Sequence, residues 1–255
     1  MEKIRFLDLS VQNAYNNMAI DEAIMRSLRE ERVPPTLRLY RWNPSAVSIG
    51  TFQGMKEEVD LEYCSKNDID YIRRITGGGA VYHDFNGEIT YSIILPRRHR
   101  LAPDDIPESY GILCSGVVKG LEHLGIDAQF KPINDIIAGC KKISGNAQTR
   151  RHSCVLQHGT ILLDLDVEVM FSILKVPQEK ISDKMIADVK ERVTSIRDLL
   201  GCQVSMDELR EALVAGFSEA LNLELVSGDL TVEEMNLAAS LVHEKYATDE
   251  WNLSR

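Results

Sequence analysis

No apolar run in the chain approaches the roughly 18 residues that a membrane-spanning helix needs, and Met1-Glu2-Lys3-Ile4-Arg5 does not begin a basic-then-apolar leader. These absences give no support to a membrane partner or a secretory route, and the cytoplasm is the expected location. Cysteine is sparse: Cys64, Cys114, Cys140, Cys154 and Cys202 lie far apart, are odd in number and form no C-x-x-C pair. A disulfide framework and a zinc site are therefore not expected, and the thiols read as reduced. A surplus of positive charge is missing too, with 29 Lys and Arg against 39 Asp and Glu and a formal net charge of −10. Nucleic acid, which needs a basic footprint, is not expected as a partner.

What remains is an ordinary globular composition, 44% hydrophobic and 27% charged, without internal repeats or a low-complexity linker. A chain of 255 residues buries roughly 70–75% of its unfolded surface. A single domain over residues 1–255 is the expectation.

The front of the chain reads as strands. Ile4 to Leu9 forms a short one, and Asn13 to Arg29 follows as a helix stopped by Pro34-Pro35. Thr36 to Trp42 alternates polar and apolar residues, and Ala46 to Gly50 follows an Asn-Pro turn, so the two are predicted to form a hairpin in a sheet with one covered face. A helix over 59–66, strands over 70–75 and 88–95, a helix over 110–124, and strands over 128–133, 135–139, 141–147 and 155–163 come next. After about residue 166 helices dominate, over 167–174, 183–192, 206–221 and 231–246. Strands in front and helices behind predict an α+β domain with a mainly antiparallel or mixed sheet flanked by helices.

Two polar constellations interrupt these elements. The first is Arg73-Arg74-Ile75-Thr76-Gly77-Gly78-Gly79-Ala80-Val81-Tyr82-His83-Asp84. Three glycines strip Cβ atoms from a short loop, so its N–H groups can converge on an anion while the arginines offer planar forks. The loop joins two strands, and its spacing fits neither the dinucleotide G-x-G-x-x-G nor the P-loop pattern. The second is Asn134-Asp135 followed by Lys141-Lys142-Ile143-Ser144-Gly145-Asn146-Ala147 and His158-Gly159-Thr160. If Ile143 points into the core, Lys142 faces the other side of the sheet. Taken alone, the lysines read first as solubilising a hairpin, Asp135 also as a turn-forming residue, and His83 and His158 also as satisfied structural groups.

Both constellations, in this order, resemble the lipoate-protein ligase A family, and the resemblance runs from near residue 4 to Lys245-Tyr246-x-Thr248-x-Glu250-Trp251-Asn252 at the end. It implies the biotin/lipoate ligase catalytic fold and the family's two-step reaction. Lipoate and ATP give lipoyl-adenylate, and a lysine of a lipoyl acceptor domain then takes the lipoyl group. By resemblance Lys142 is the essential lysine. Arg74, Gly77, Gly78, Gly79, Ala80, Val81, Tyr82, His83, Asn134, Asp135 and His158 bind ATP and lipoate, and Asp135 is the candidate Mg²⁺ ligand. Attack of a carboxylate on the α-phosphate gathers negative charge, which favours cations, backbone donors and Mg²⁺ over a protein nucleophile. Val47, Ile49 and Ile143 are candidates to line a tunnel for the lipoate tail, or else ordinary core.

The implied partners are a lipoyl acceptor domain, either an E2 component or a glycine-cleavage H-type protein, received over a locally basic rim. Larger family members carry a further small domain, so a separate accessory protein supplying it is expected. An ATP-independent octanoyl or lipoyl transferase working through a cysteine thioester is the alternative, with Cys140, beside two lysines, and Cys154 as candidate nucleophiles. In that branch the loop reads Gly-Gly-Arg-Gly, whereas Gly77-Gly78-Gly79-Ala80 stands here, which favours the ligase. A non-catalytic lipoyl-domain binding protein is the third reading, and the lysine motif argues against it. Biotin ligation fits the glycine-loop motif less well.

Overall fold

The computed structural model describes residues 1–175 and 191–254, and its centre is set by two strands with almost no exposed residue. These are β6 (Glu88–Pro96) and β10 (Cys154–Leu162), paired antiparallel with Cys154 opposite Pro96 and Leu162 opposite Glu88. Around them β1 (Glu2–Gln12), β2 (Thr36–Trp42), β7 (Ala128–Lys131), β8 (Asp135–Ala138), β9 (Lys141–Arg151) and β11 (Leu223–Ser227) complete an eight-stranded sheet in the order β11-β1-β2-β6-β10-β9-β8-β7. β1 runs parallel to both β2 and β11, and the other pairings are antiparallel, so the sheet is mixed.

Both faces of this sheet are covered. Along β2, Leu37 and Leu39 enter the core beneath α4 (Ile106–His123) and α7 (Met206–Leu221), where Leu113, Val117, Leu213 and Phe217 meet them. The two helices come close because a Cβ on Gly216 would lie 2.2 Å from the Gly120 backbone nitrogen. Tyr40 and Trp42 turn to the opposite core beneath α1 (Ala14–Arg29) and α8 (Val232–Leu241). The alternation in β2 therefore does not mark a solvated face as predicted. Its polar residue Arg38 is buried and satisfied by helix α1, through Asp21 Oδ1 at 3.0 Å and Asn17 Oδ1 at 2.6 Å.

The predicted hairpin of Thr36–Trp42 with Ala46–Gly50 is also corrected. After the Asn43-Pro44 turn the chain leaves the large sheet and forms β3 (Ala46–Ile49), the middle strand of a three-stranded sheet. β4 (Asp70–Arg73) pairs with it in parallel and β5 (Val81–His83) antiparallel. The short helices α2 (Met55–Glu58), α3 (Leu61–Lys66) and α5 (Val167–Ile173) pack with this sheet on a small core of Val47, Ile49, Met55, Val59, Cys64, Ile69 and Ile173.

The later helices follow the prediction in part. α6 (Ile196–Leu200) and β11 were not foreseen. The helix predicted over 231–246 starts on a Thr231–Glu234 capping box and ends as a π-helical turn over Val242–Tyr246. The chain then forms α9 (Asp249–Asn252). The helix predicted over 183–192 lies outside the described residues except for its last two.

Candidate functional site

The glycine loop spans the gap between β4 and β5, the two neighbours of β3, and β3 forms its floor. Gly78 adopts φ 101°, a left-handed conformation that favours glycine. Gly50, at the end of β3, approaches so closely that a Cβ there would sit 2.1 Å from the Gly78 carbonyl oxygen. Gly77 and Gly79 have open space around the Cβ position, so nothing in the fold requires a glycine at either.

Arg74 does not extend outward as a fork. It is buried, its Nη2 donates to the Gly77 and Gly79 carbonyls at 3.0 and 2.9 Å, and its Nη1 donates to Ser48 Oγ at 2.7 Å. Burial lowers its pKa to about 10. The guanidinium thus shapes the loop from beneath. Arg73 points the other way, into the C-terminal segment, donating to the Trp251 and Asn252 carbonyls at 2.9 and 3.1 Å. Asn252 Oδ1 accepts from the Arg73 N–H at 2.9 Å, and Trp251 Nε1 donates to the Arg73 carbonyl at 2.8 Å.

His83 ends β5 inside the fold. Its Nε2 lies 2.7 Å from Ser48 Oγ and its Nδ1 2.7 Å from Glu88 Oε1, while its ring stacks on Trp42 at 4.1 Å between centroids. His158 sits on β10 with Nε2 2.8 Å from Thr76 Oγ1 of the glycine loop. Its Nδ1 is buried and faces Asp21 Oδ2 at 3.8 Å, too far for a hydrogen bond. Burial pushes the His158 pKa down, against the pull of the Asp21 carboxylate.

Lys142 enters from β9, where a register irregularity between Ile136 and Ile137 of the neighbouring strand adjusts its position. Ile143 is buried in the large core and Lys142 faces the pocket, as the alternation predicted. Its ammonium pairs with Asp135 Oδ1 at 2.7 Å, both groups being partly exposed. A Cβ on Gly145 would lie 2.8 Å from Lys142 Cε and Nζ, so the lysine chain crosses directly over that glycine. Asn134 and Asn146 tie the start of β8 to β9, each side-chain amide donating to the other's carbonyl. Gly159 is needed beside them because a Cβ there would strike Asn146 Oδ1 at 2.0 Å, and that oxygen accepts from Tyr91 Oη.

One pocket gathers much of this. Arg74, Gly78, Gly79, Val81, His83, Asn134, Lys142 and His158 line it among the predicted residues, joined by Met18, Tyr40, Trp42, Ser48, Thr90 and Asn146. Gly77, Ala80, Tyr82 and Asp135 do not line it. Ala80 and Tyr82 pack on the small core, and Asp135 reaches the site only through Lys142. Val47 and Ile49 also belong to the small core rather than to a tunnel, and Ile143 to the large one. Ser48 and Asn146 were missed as site residues. The signal for Ser48 was present, as the one polar residue inside the apolar strand Ala46-Val47-Ser48-Ile49.

The cysteines stand apart. Burial pushes the thiols of Cys64 and Cys154 up to about 11 and that of Cys114 up to about 12, while Cys140 and Cys202 are exposed. None of the five lines the pocket. Within the expected basic rim, His99 and Arg100 pair with Glu2, and Arg150 donates to the Pro103 and Asp104 carbonyls.

A mixed sheet that sets a strand-to-strand glycine loop opposite a strand-borne lysine defines a lipoyl-ligase type of catalytic domain. Residues 13–218 match the lipoyl protein ligase A/B catalytic domain, and the chain belongs to that family. It is 37% identical to octanoyltransferase LipM of Brevibacillus brevis, with 100% of both chains covered, and 40% identical to octanoyltransferase LipM of Kyrpidia tusciae over 99% of each. Among solved structures, the bipartite lipoate protein ligase of Thermoplasma acidophilum superposes with a TM-score of 0.87 at 38% identity, covering 99% of this chain and 96% of that one.

The full-length relatives overturn the expectation of an ATP-dependent ligase, and with it ATP and Mg²⁺ as the substrate complex. The preference for the ligase rests on Gly77-Gly78-Gly79-Ala80 standing in place of Gly-Gly-Arg-Gly, and the octanoyltransferase relatives run against that inference. In the fold Arg74 is occupied by that loop's own carbonyls and Asp135 by Lys142. Among the described residues no three His, Cys, Asp or Glu side chains converge as a metal site, and no helix is long and apolar enough to cross a membrane.

Proposed function

We propose that this chain is an octanoyltransferase that moves an octanoyl group from a carrier-protein thioester to a lysine amine of a lipoyl acceptor domain, of the E2 or glycine-cleavage H type. The observation that carries the reading is its likeness, over essentially its whole length, to relatives named octanoyltransferase. Lys142 supplies the positive charge such a reaction needs. Attack on a thioester carbonyl puts negative charge on the carbonyl oxygen, and an ammonium preset beside the pocket stabilises it without reorganisation. Asp135 holds that ammonium in place, and the open backbone at Gly79 lets the acyl carbonyl approach. Met18, Tyr40, Trp42 and Val81 provide an apolar wall for the acyl chain.

The test is transfer from an octanoyl carrier-protein thioester to an unmodified lipoyl domain, read as the intact mass of the acceptor, in EDTA and without ATP. Full octanoylation is expected. An acceptor left unmodified by the thioester, but modified when free octanoate, ATP and Mg²⁺ are added, contradicts the reading.

A further inference from the structure

Although the chain carries a formal net charge of −10, three separate segments bring positive charge to one end of the large sheet. On β9, Asn146 and Gln148 bond to Tyr91 and Ser109 on the side of α4, so strand alternation turns Ala147, Thr149 and Arg151 to the side of α1. There they lie beside His158, Leu156 and Cys154 of β10. Cys154 Sγ donates to the Met25 carbonyl of α1 at 3.4 Å, which sets the last turn of that helix, with Arg26 and Arg29, over the same end of the sheet. The π-helical turn brings Lys245 to Glu22 at 2.7 Å, and Arg26 binds the other oxygen of that carboxylate at 2.6 Å. His152 sits at the tip of the β9–β10 hairpin. Its pKa is lowered by burial and by the charges of Arg26, Arg29 and Lys245, against the pull of Glu22.

The carboxylates nearby are already committed. Glu22 is shared by Arg26 and Lys245, and Glu30 pairs with Arg32 at 2.9 Å. Among the described residues the exposed Arg29 and Arg151 form no salt bridge. The helix dipole accounts for a basic last turn on α1, but not for Arg151 and His152 on a hairpin or Lys245 on a third segment. The cluster also has a route to the pocket. Ala147 and His158 line that pocket, and Arg151 stands four residues further along β9, roughly 13 Å at the rise of a strand. Ala147 and Thr149 are partly exposed, so the strand surface between cluster and pocket is open.

Resting on the octanoyltransferase reading, we propose that Arg26, Arg29, Arg151, His152 and Lys245 form the docking surface for the acyl-donor carrier protein. The carrier presents an acidic face to this cluster and sends its thioester arm along β9 to the pocket. The negative charge of the molecule as a whole repels an acidic partner, so a local basic field both attracts the carrier and fixes where its arm begins. The distance selects donor over acceptor. A carrier protein delivers its acyl group at the end of a long flexible arm, whereas an acceptor lysine has only a four-carbon stem and needs its domain at the pocket mouth beside Lys142.

The experiment compares the full chain with its Arg29→Glu/Arg151→Glu variant, using two donors at saturating acceptor: octanoyl carrier-protein thioester, and octanoyl-pantetheine, which has the arm without the carrier body. For the carrier protein, KM should rise at least about tenfold in the variant with kcat little changed, since like charges then face each other. Transfer from octanoyl-pantetheine should match the wild type, which also shows that the variant is folded and its pocket intact. Raising salt from low ionic strength to about 0.15 M should weaken carrier use by the wild type and leave the variant unmoved. An unchanged carrier KM in the variant, an equal loss with octanoyl-pantetheine, or a KM rise for the lipoyl domain instead overturns the inference while leaving the octanoyltransferase reading intact. Absence of any transfer by the wild type from the carrier-protein thioester overturns both.

Discussion

Lys142 and Gly145 act as a pair, because the lysine chain passes over the one position in its path that has no side chain. Gly145→Ala should push the ammonium away from Asp135 and the pocket, lowering kcat while leaving thermal stability within about 1 kcal/mol, since the atoms that must move are the end of a flexible chain. Lys142→Ala should cost about 100- to 1,000-fold in kcat, the usual loss for one electrostatic stabiliser, and steady-state transfer rates with parallel melting curves check both variants. His158 sets a pH limit on stability. Its pKa is lowered in the folded chain from 6.5, so between that value and the lower folded one the unfolded chain binds more protons. Its contribution is whole above pH 6.5 and shrinks as pH falls. Urea titrations between pH 8 and pH 5 should show the midpoint dropping on the acid side, and His158→Gln should flatten the drop. At this scale residue identity was legible and direction was not. Lys142 could be placed by strand alternation against Ile143, but the inward turn of Arg74 depends on carbonyls of a loop whose path only the folded backbone defines.

The glycine loop hangs between two short strands, and α9 clamps the base of the first of them. Asn252 takes the Arg73 N–H, gives its amide to the Tyr246 carbonyl, and its own carbonyl holds the Arg73 guanidinium. Asn252→Ala leaves a buried backbone donor and acceptor unpaired, so a loss of about 1–3 kcal/mol is expected. Because the clamp abuts the loop, KM for the octanoyl donor should rise in the same variant, and melting together with saturation kinetics tests the two effects. Elements with a strong period were legible, as with α1 behind its Asn13 cap and the central strands. The expected hairpin of Thr36–Trp42 with Ala46–Gly50 does not form, because an Asn-Pro turn between two apolar strands looks the same whether the chain returns to its own sheet or enters another. β11 was missed since Leu223–Ser227 is short, lies at a sheet edge and carries exposed residues, so it has no buried-strand signature.

Across the whole molecule, the mixed sheet is closed on both faces, and buried ion pairs serve where the second face would otherwise strand polar groups. Arg5 reaches from β1 to Glu234 of α8 with two contacts of 2.8 and 2.6 Å, and Glu234 is fully buried. Glu234→Ala should leave an uncompensated buried guanidinium and cost about 3–5 kcal/mol, read as a shift in the urea midpoint with little change in slope. The α+β class was legible from the order of strands and helices, whereas the parallel pairing of β1 with β11 joins chain segments too distant for any local pattern to report. Function was legible to the family and then diverged, because a glycine loop, a lysine and a partly apolar pocket suit both an adenylate and a thioester donor. The most direct measurement gives the enzyme both donors at once: isotope-labelled octanoyl carrier-protein thioester and unlabelled free octanoate with ATP and Mg²⁺, followed by mass analysis of the modified lipoyl domain. The account predicts an acceptor carrying the labelled acyl group, and an acceptor carrying the unlabelled one would contradict it.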